Sequence, residues 1–122
     1  MDSTNPSHYK DVVPGIECIE LTESMDFVMG NVVKYLWRWE HKNGKEDLEK
    51  ALWYVNRAIA KPHNFGDRGF DQDIKYILSH FDLMTSRALD AIFRWVERPW
   101  HGNEKFLHDA KECIETLIKE IK

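Results

Sequence analysis

The stretch Gly30-Asn31-Val32-Val33-Lys34-Tyr35-Leu36-Trp37-Arg38-Trp39-Glu40-His41-Lys42 decides how the chain is read. Val28, Val32, Leu36 and Trp39 recur at i, i+4, i+8 and i+11, the apolar stripe of a core-facing helix. Asn31, Lys34, Arg38 and His41 recur at i, i+3, i+7 and i+10, so they line a different side. An amide, two fixed cations and an imidazole in a row suit an anionic ligand such as a phosphate. The same row also reads as an ordinary solvated basic face, and spacing alone does not separate the two.

Upstream, Pro14-Gly15 signals a turn, and Ile16 to Leu21 reads as a short helix with Ile16 and Ile19 inward. Ser24 suits an N-cap, with Asp26 in the first turn of a helix running to about His41. Gly30 inside that helix costs about 1 kcal/mol relative to Ala, which points to close approach of another backbone or a ligand. Further upstream, His8 and Tyr9 follow the extended Asn5-Pro6 entry. They read as an arm packed on the surface or as one folded over a ligand.

Downstream, Asn43-Gly44 ends the helix and Glu46-Asp47 opens the next, where acids complement the dipole. Leu48, Ala51, Leu52, Val55 and Ile59 form its core stripe; Asp47, Lys50, Tyr54 and Arg57 form a second face. Lys61-Pro62 stops it, and the short loop makes the two helices an antiparallel hairpin. Whether the two polar faces converge depends on helix rotation, which periodicity does not fix.

After a loop at 63–70, the second half echoes the first. Ile74 to Ile77 parallels Ile16 to Ile19, and Leu89, Ile92, Phe93, Arg94 and Trp95 parallel Val33, Leu36, Trp37, Arg38 and Trp39. Past a turn at Pro99 to Asn103, where Asn103 suits an N-cap, Leu107, Ala110, Ile114 and Ile118 parallel Leu48, Ala51, Val55 and Ile59. The final helix is expected to bury Phe106, Leu107, Ala110, Ile114, Leu117 and Ile121. The chemistry is not repeated: Asp90 and Ala91 stand for Lys34 and Tyr35, and Asp109 stands for Lys50. The expected fold is all-α: antiparallel helical hairpins packed as a small bundle, consistent with a duplicated short-helix, long-helix, helix unit. It forms a single domain over 1–122, with a motif-bearing half at 1–62 and a second helical half at 71–122.

The 122 residues suffice for one core, and 43% hydrophobic with 31% charged residues fits a globular chain. A net charge of −4 argues against a duplex nucleic-acid binder but leaves room for a local basic pocket. Cys18 and Cys113 share no zinc spacing and no disulfide framework, which points to a reducing, intracellular setting. Met1 to His8 carries no apolar run, and no stretch is long and apolar enough to span a bilayer, so neither a signal peptide nor a membrane partner is expected.

Four blocks in order, Asn5-Pro6-Ser7-His8-Tyr9, Gly15-Ile16-Glu17-Cys18-Ile19, Gly30 to Arg38 and Glu46 to Val55, resemble a small phage family of unknown-function domains that includes phage nucleotide kinases. The likeness covers Asn5 to about Ile59, roughly half the chain. It implies a mostly helical protein of the host cytoplasm. Some family members phosphorylate deoxynucleoside monophosphates without a P-loop, and this chain has no Gly-x-x-x-x-Gly-Lys-Ser/Thr. The family's motif positions fall on His8, Tyr9, Asn31, Lys34, Tyr35, Arg38, Asp47, Lys50 and Tyr54.

The resulting expectation is a nucleotide-binding protein, kinase-like, with ATP or another nucleotide as phosphate donor and Mg2+ use left open. Phosphoryl transfer needs positioning and charge cancellation. Lys34, Arg38 and Lys50 would hold phosphate oxygens, Asn31 and Tyr54 would orient the ligand, and His8 or Asp47 would accept a proton. Replacing Lys34 or Arg38 by Ala is expected to weaken binding without unfolding the chain. The alternative is a non-catalytic sponge for cyclic nucleotide immune signals, with Trp37, Trp39 or Trp53 stacking on a base. A third reading, an all-α pyrophosphatase, rests on acid pairs one turn apart at Glu17 with Glu20 and Glu46 with Glu49. Exposed Trp37, Trp53 or Trp100 would suit a homo-oligomer interface.

Overall fold

The computed structural model describes residues 12–62, 69–100 and 102–121. They form six helices: α1 (Cys18–Thr22), α2 (Phe27–Arg38), α3 (Lys45–Ala60), α4 (Ile74–Leu78), α5 (Leu83–Glu97) and α6 (Lys105–Glu120). A 3-10 turn, Trp39–His41, follows α2, and no strand occurs among the described residues. The fold is an all-α bundle of two hairpins. α2 packs on α3, α5 packs on α6, and the hairpins meet mainly through α3 against α6, with α2 touching α5. His8 and Tyr9, expected to fold over a ligand or pack on the surface, lie outside the described residues.

The core follows the periodicity of each helix. α2 contributes Val32, Val33, Leu36 and Trp37, and α3 contributes Leu48, Ala51, Val55 and Ala58. α5 contributes Leu89, Ile92, Phe93 and Val96, and α6 contributes Leu107, Ala110, Ile114 and Leu117. Phe106 and Ile121 are only half-buried, so they edge the core rather than fill it.

The repeated order has a repeated chemistry of helix starts. Asp26 caps α2 by accepting from the Met29 N–H at 2.9 Å, and Asp82 caps α5 by accepting from the Thr85 N–H at 2.7 Å. Moving 56 positions along the chain, from 26 to 82, also carries α1 onto α4 and buried Leu21 onto buried Ile77. From α3 to α6 the shift is 59, as from Leu48 to Leu107, because α5, with 15 residues, runs three residues further than α2, with 12, before the chain turns.

Several boundaries differ from the sequence expectation. Asp26, not Ser24, caps α2; the Ser24 hydroxyl instead donates to the Leu21 carbonyl. Its carboxylate is the stronger acceptor for the free N–H groups of the first turn. α2 ends at Arg38, where the chain tightens into the 3-10 turn and the Gly44 N–H bonds the Trp39 carbonyl at 2.8 Å. Gly44 has φ of 53°, the conformation that spares a residue without Cβ. α6 starts after Glu104, while the Asn103 amide donates to the Arg98 carbonyl. In α1, Leu21 is the buried residue and Ile19 is 58% exposed, since five residues present one inward position per turn.

Two contacts test this packing. Gly30 is approached by Thr22, whose carbonyl oxygen would lie 3.6 Å from an added Cβ, an ordinary contact distance. Gly30→Ala is therefore expected to stabilise the chain by about 0.5–1 kcal/mol in urea denaturation. The Trp39 indole N–H donates to the hydroxyl of fully buried Thr85 at 3.0 Å, joining the two halves. Thr85→Val keeps the shape and removes the acceptor, and is expected to cost about 1–3 kcal/mol in the same measurement.

Candidate functional site

The rotation left open by the sequence is resolved on the α2–α3 hairpin. The Tyr35 ring has the Lys34 ammonium 4.6 Å, the Arg38 guanidinium 4.9 Å and the Lys50 ammonium 5.6 Å from its centroid. The two polar faces thus converge, and three cations surround one electron-rich ring. Tyr35 also lies nearly parallel to Tyr54 of α3, at 16° with centroids 6.2 Å apart. Phe27 and Trp53 meet Tyr54 edge-on at 6.0 and 5.0 Å, yet remain 74% and 62% exposed. The result is a continuous face, aromatic at one end and cationic at the other.

The cations are not equivalent. Arg38 forms a fork with Asp47: Nε and one terminal nitrogen each donate to a carboxylate oxygen at 3.2 Å. Asp47 also accepts from the Asn43 N–H at 3.3 Å and has no exposed side chain, while that of Arg38 is 11% exposed. Asp47 thereby holds the α2 C-terminus to the α3 N-terminus. Arg38 is consequently not a clean probe of binding: Arg38→Ala would strand a buried carboxylate, contrary to the expectation that it leaves folding intact. Lys50 makes an exposed pair with Glu46 at 3.6 Å, an interaction worth little in water and readily exchanged. Lys34 pairs with no carboxylate among the described residues.

The Cys18 thiol sits close enough to Lys34 and Arg38 to feel both charges. Burial nevertheless dominates and pushes its pKa up to about 12, so the thiol stays neutral and cancels none of the positive charge. Asn31 turns its amide back to the Phe27 carbonyl at 2.9 Å, one turn along its own helix. His41 lies exposed in the 3-10 turn, outside the cluster around Tyr35.

Other expected contributors fall elsewhere. Trp37 is 2% exposed and packs edge-on to Phe81 at 5.3 Å; it belongs to the core and offers neither a stacking surface nor an interface. Trp39 is half-buried and tied to Thr85, while Trp53 stands at the site. The exposed Phe27 beside Tyr54 was missed by the sequence reading, since a ring at a helix start carries no spacing signal. Glu17 and Glu20 form a capping box, the Glu17 N–H donating to the Glu20 carboxylate at 2.7 Å. Among the described residues no three His, Cys, Asp or Glu side chains are grouped to hold a metal ion, and no helix is long and apolar enough to cross a membrane.

Removing Asp47 alone leaves the Arg38 charge buried without its partner. Asp47→Ala is expected to destabilise the chain by about 3–5 kcal/mol. The double replacement Arg38→Met with Asp47→Leu is expected to cost less than that single change. Thermal denaturation of the three proteins checks the order.

Comparison with known proteins finds a match to a family model. The model of a family described as a protein of unknown function (DUF3310) matches residues 3–56. That segment contains α1, α2 and most of α3, hence the whole cationic and aromatic face, and excludes the second hairpin. No curated protein and no solved structure matches the chain.

Proposed function

We propose that the protein binds a nucleotide on the α2–α3 face, with phosphate at Lys34 and Lys50 and the base against Phe27 or Trp53. The observation that carries this reading is the convergence of Lys34, Arg38 and Lys50 on Tyr35, continuous with the exposed rings. A nucleotide has the same two ends, one anionic and one flat and aromatic. Flexible ammonium groups meet phosphate oxygens as point charges, and an exposed ring stacks on any base. The net charge of −4 keeps the attraction local, which favours a small ligand over a duplex.

Within this reading, the resemblance to phage nucleotide kinases makes phosphoryl transfer to a nucleoside monophosphate the reaction to test first. Lys34 and Lys50 would then offset charge on the transferred group, and Arg38, fixed by Asp47, would supply a further positive charge at a set position. Asp47 acts in this scheme as a positioning residue rather than a base, because both of its oxygens are engaged. The proton acceptor would be His8. The same engagement of Asp47 favours a second reading, a phage sponge that holds a cyclic or linear nucleotide unchanged.

The test is the fate of the ligand. The purified chain is incubated with nucleoside monophosphates, ATP and cyclic dinucleotides, with and without magnesium, and both bound and free fractions are chromatographed. New diphosphates establish transfer; a bound nucleotide recovered intact establishes sequestration; no binding from any pool overturns the proposal. Lys34→Ala and Lys50→Ala are each expected to weaken binding by about 1.5–3 kcal/mol, on the order of tenfold to a hundredfold. Trp53→Ala is expected to weaken it by about 1–3 kcal/mol. Isothermal titration reads all three.

A further inference from the structure

The internal repeat places a counterpart of the α2–α3 face on the α5–α6 hairpin. The shift of 56 carries Asn31, Lys34, Tyr35 and Arg38 onto Arg87, Asp90, Ala91 and Arg94. The shift of 59 carries Lys50, Trp53 and Tyr54 onto Asp109, Glu112 and Cys113. These seven residues all line one groove of about 540 Å3, floored by Met84, Ala91, Phe106 and Cys113. In the first hairpin the equivalent space is occupied by the stacked Tyr35 and Tyr54 rings. Ala91 and Cys113 replace them, so the groove is open because two aromatic side chains are missing.

The charges are altered along with the shape. Three acids, Asp90, Asp109 and Glu112, face two arginines, Arg87 and Arg94, and Arg94 is already paired with Asp90 at 3.1 Å. An anionic ligand is disfavoured there. A projection with an apolar ring and basic flanks is favoured, and the chain carries one: Trp53 and Phe27 stand exposed beside Lys34 and Lys50.

We infer that the α5–α6 groove of one copy receives the Trp53-bearing α2–α3 face of a second copy, giving a head-to-tail assembly. A twofold contact through the α2–α3 face would set Lys34 and Lys50 against their own duplicates. The head-to-tail contact sets them against Asp109 and Glu112 and covers the exposed rings, so on any one copy the contact and the proposed nucleotide compete for the same face. Such an interface is heterologous, so it repeats into a ring or a chain rather than stopping at two copies.

Sedimentation without nucleotide reads assembly alone, and titration of the Glu112→Arg variant, whose α2–α3 face stays uncovered, reads binding alone, so the two proposals fail separately. Sedimentation velocity follows the wild type, Trp53→Glu and Glu112→Arg, each checked for helical content by circular dichroism. Both changes lie on exposed positions. Cys113→Tyr, which refills the groove as Tyr54 fills the first, serves as an independent groove variant. The wild type is expected to sediment as species larger than a dimer from low micromolar concentration upward, less so at high salt. Each variant alone is expected to be monomeric. An equimolar mixture of Trp53→Glu and Glu112→Arg is expected to form one-to-one dimers, since each retains the surface that the other lacks. A monomeric wild type at submillimolar concentration overturns the inference, as do variants that assemble like the wild type. A mixture that stays monomeric overturns it as well.

Discussion

The fork between Arg38 and Asp47 is the constraint on which the candidate site depends. It joins the last turn of α2 to the first turn of α3, across the tight turn that Gly44 permits. Two directed bonds between planar groups fix orientation as well as distance, which a nonspecific apolar contact would not do. With the hairpin so aligned, Lys34 and Tyr35 on one helix and Lys50 and Tyr54 on the other are brought to the same place. A buried ion pair is weak evidence for stability, since an apolar pair of similar volume packs as well. Its value here lies in register: a slip of either helix by one residue would part the donors from the acceptors.

The two hairpins use one scaffold for different surfaces. Both keep the aspartate cap, the short preceding helix and the buried stripe, because those features decide whether the bundle forms. Away from the core the two hairpins differ at positions that face one another across each of them. Tyrosines fill the first crevice, and Ala91 with Cys113 leaves the second open. Burial pushes the Cys113 thiol pKa up, the nearby acids add to this, and Arg87 opposes it, so the open groove gains no thiolate.

Periodicity revealed most of the architecture because core positions obey a local rule. Val32, Leu36, Leu48, Val55, Leu107 and Ile114 are apolar at helical spacing and are all buried. Short elements were less legible: with one inward position per turn, Ile19 and Leu21 are hard to rank, and the structure buries Leu21. The cationic stripe was visible in part. Lys34 and Arg38 do share a face, but Asn31 is spent on its own backbone, and His41 leaves the stripe because α2 stops at Arg38. Trp37 was misread because period alone cannot rank two tryptophans two residues apart. Its neighbour Trp39 takes the edge position and finds a hydroxyl, while the Trp37 N–H finds no acceptor among the described residues.

The bond from Trp39 to Thr85 spans 46 positions of chain, whereas the tightest helix pairs are sequence neighbours. Contacts between neighbours form after short loop closures, and contacts between distant segments must await a larger loss of chain freedom. Each hairpin can therefore assemble on its own during folding, and the meeting of the two is the slow, nonlocal event. Because the Trp39 indole sits at that seam, its fluorescence, isolated by replacing the other four tryptophans with phenylalanine, would time the docking of the halves.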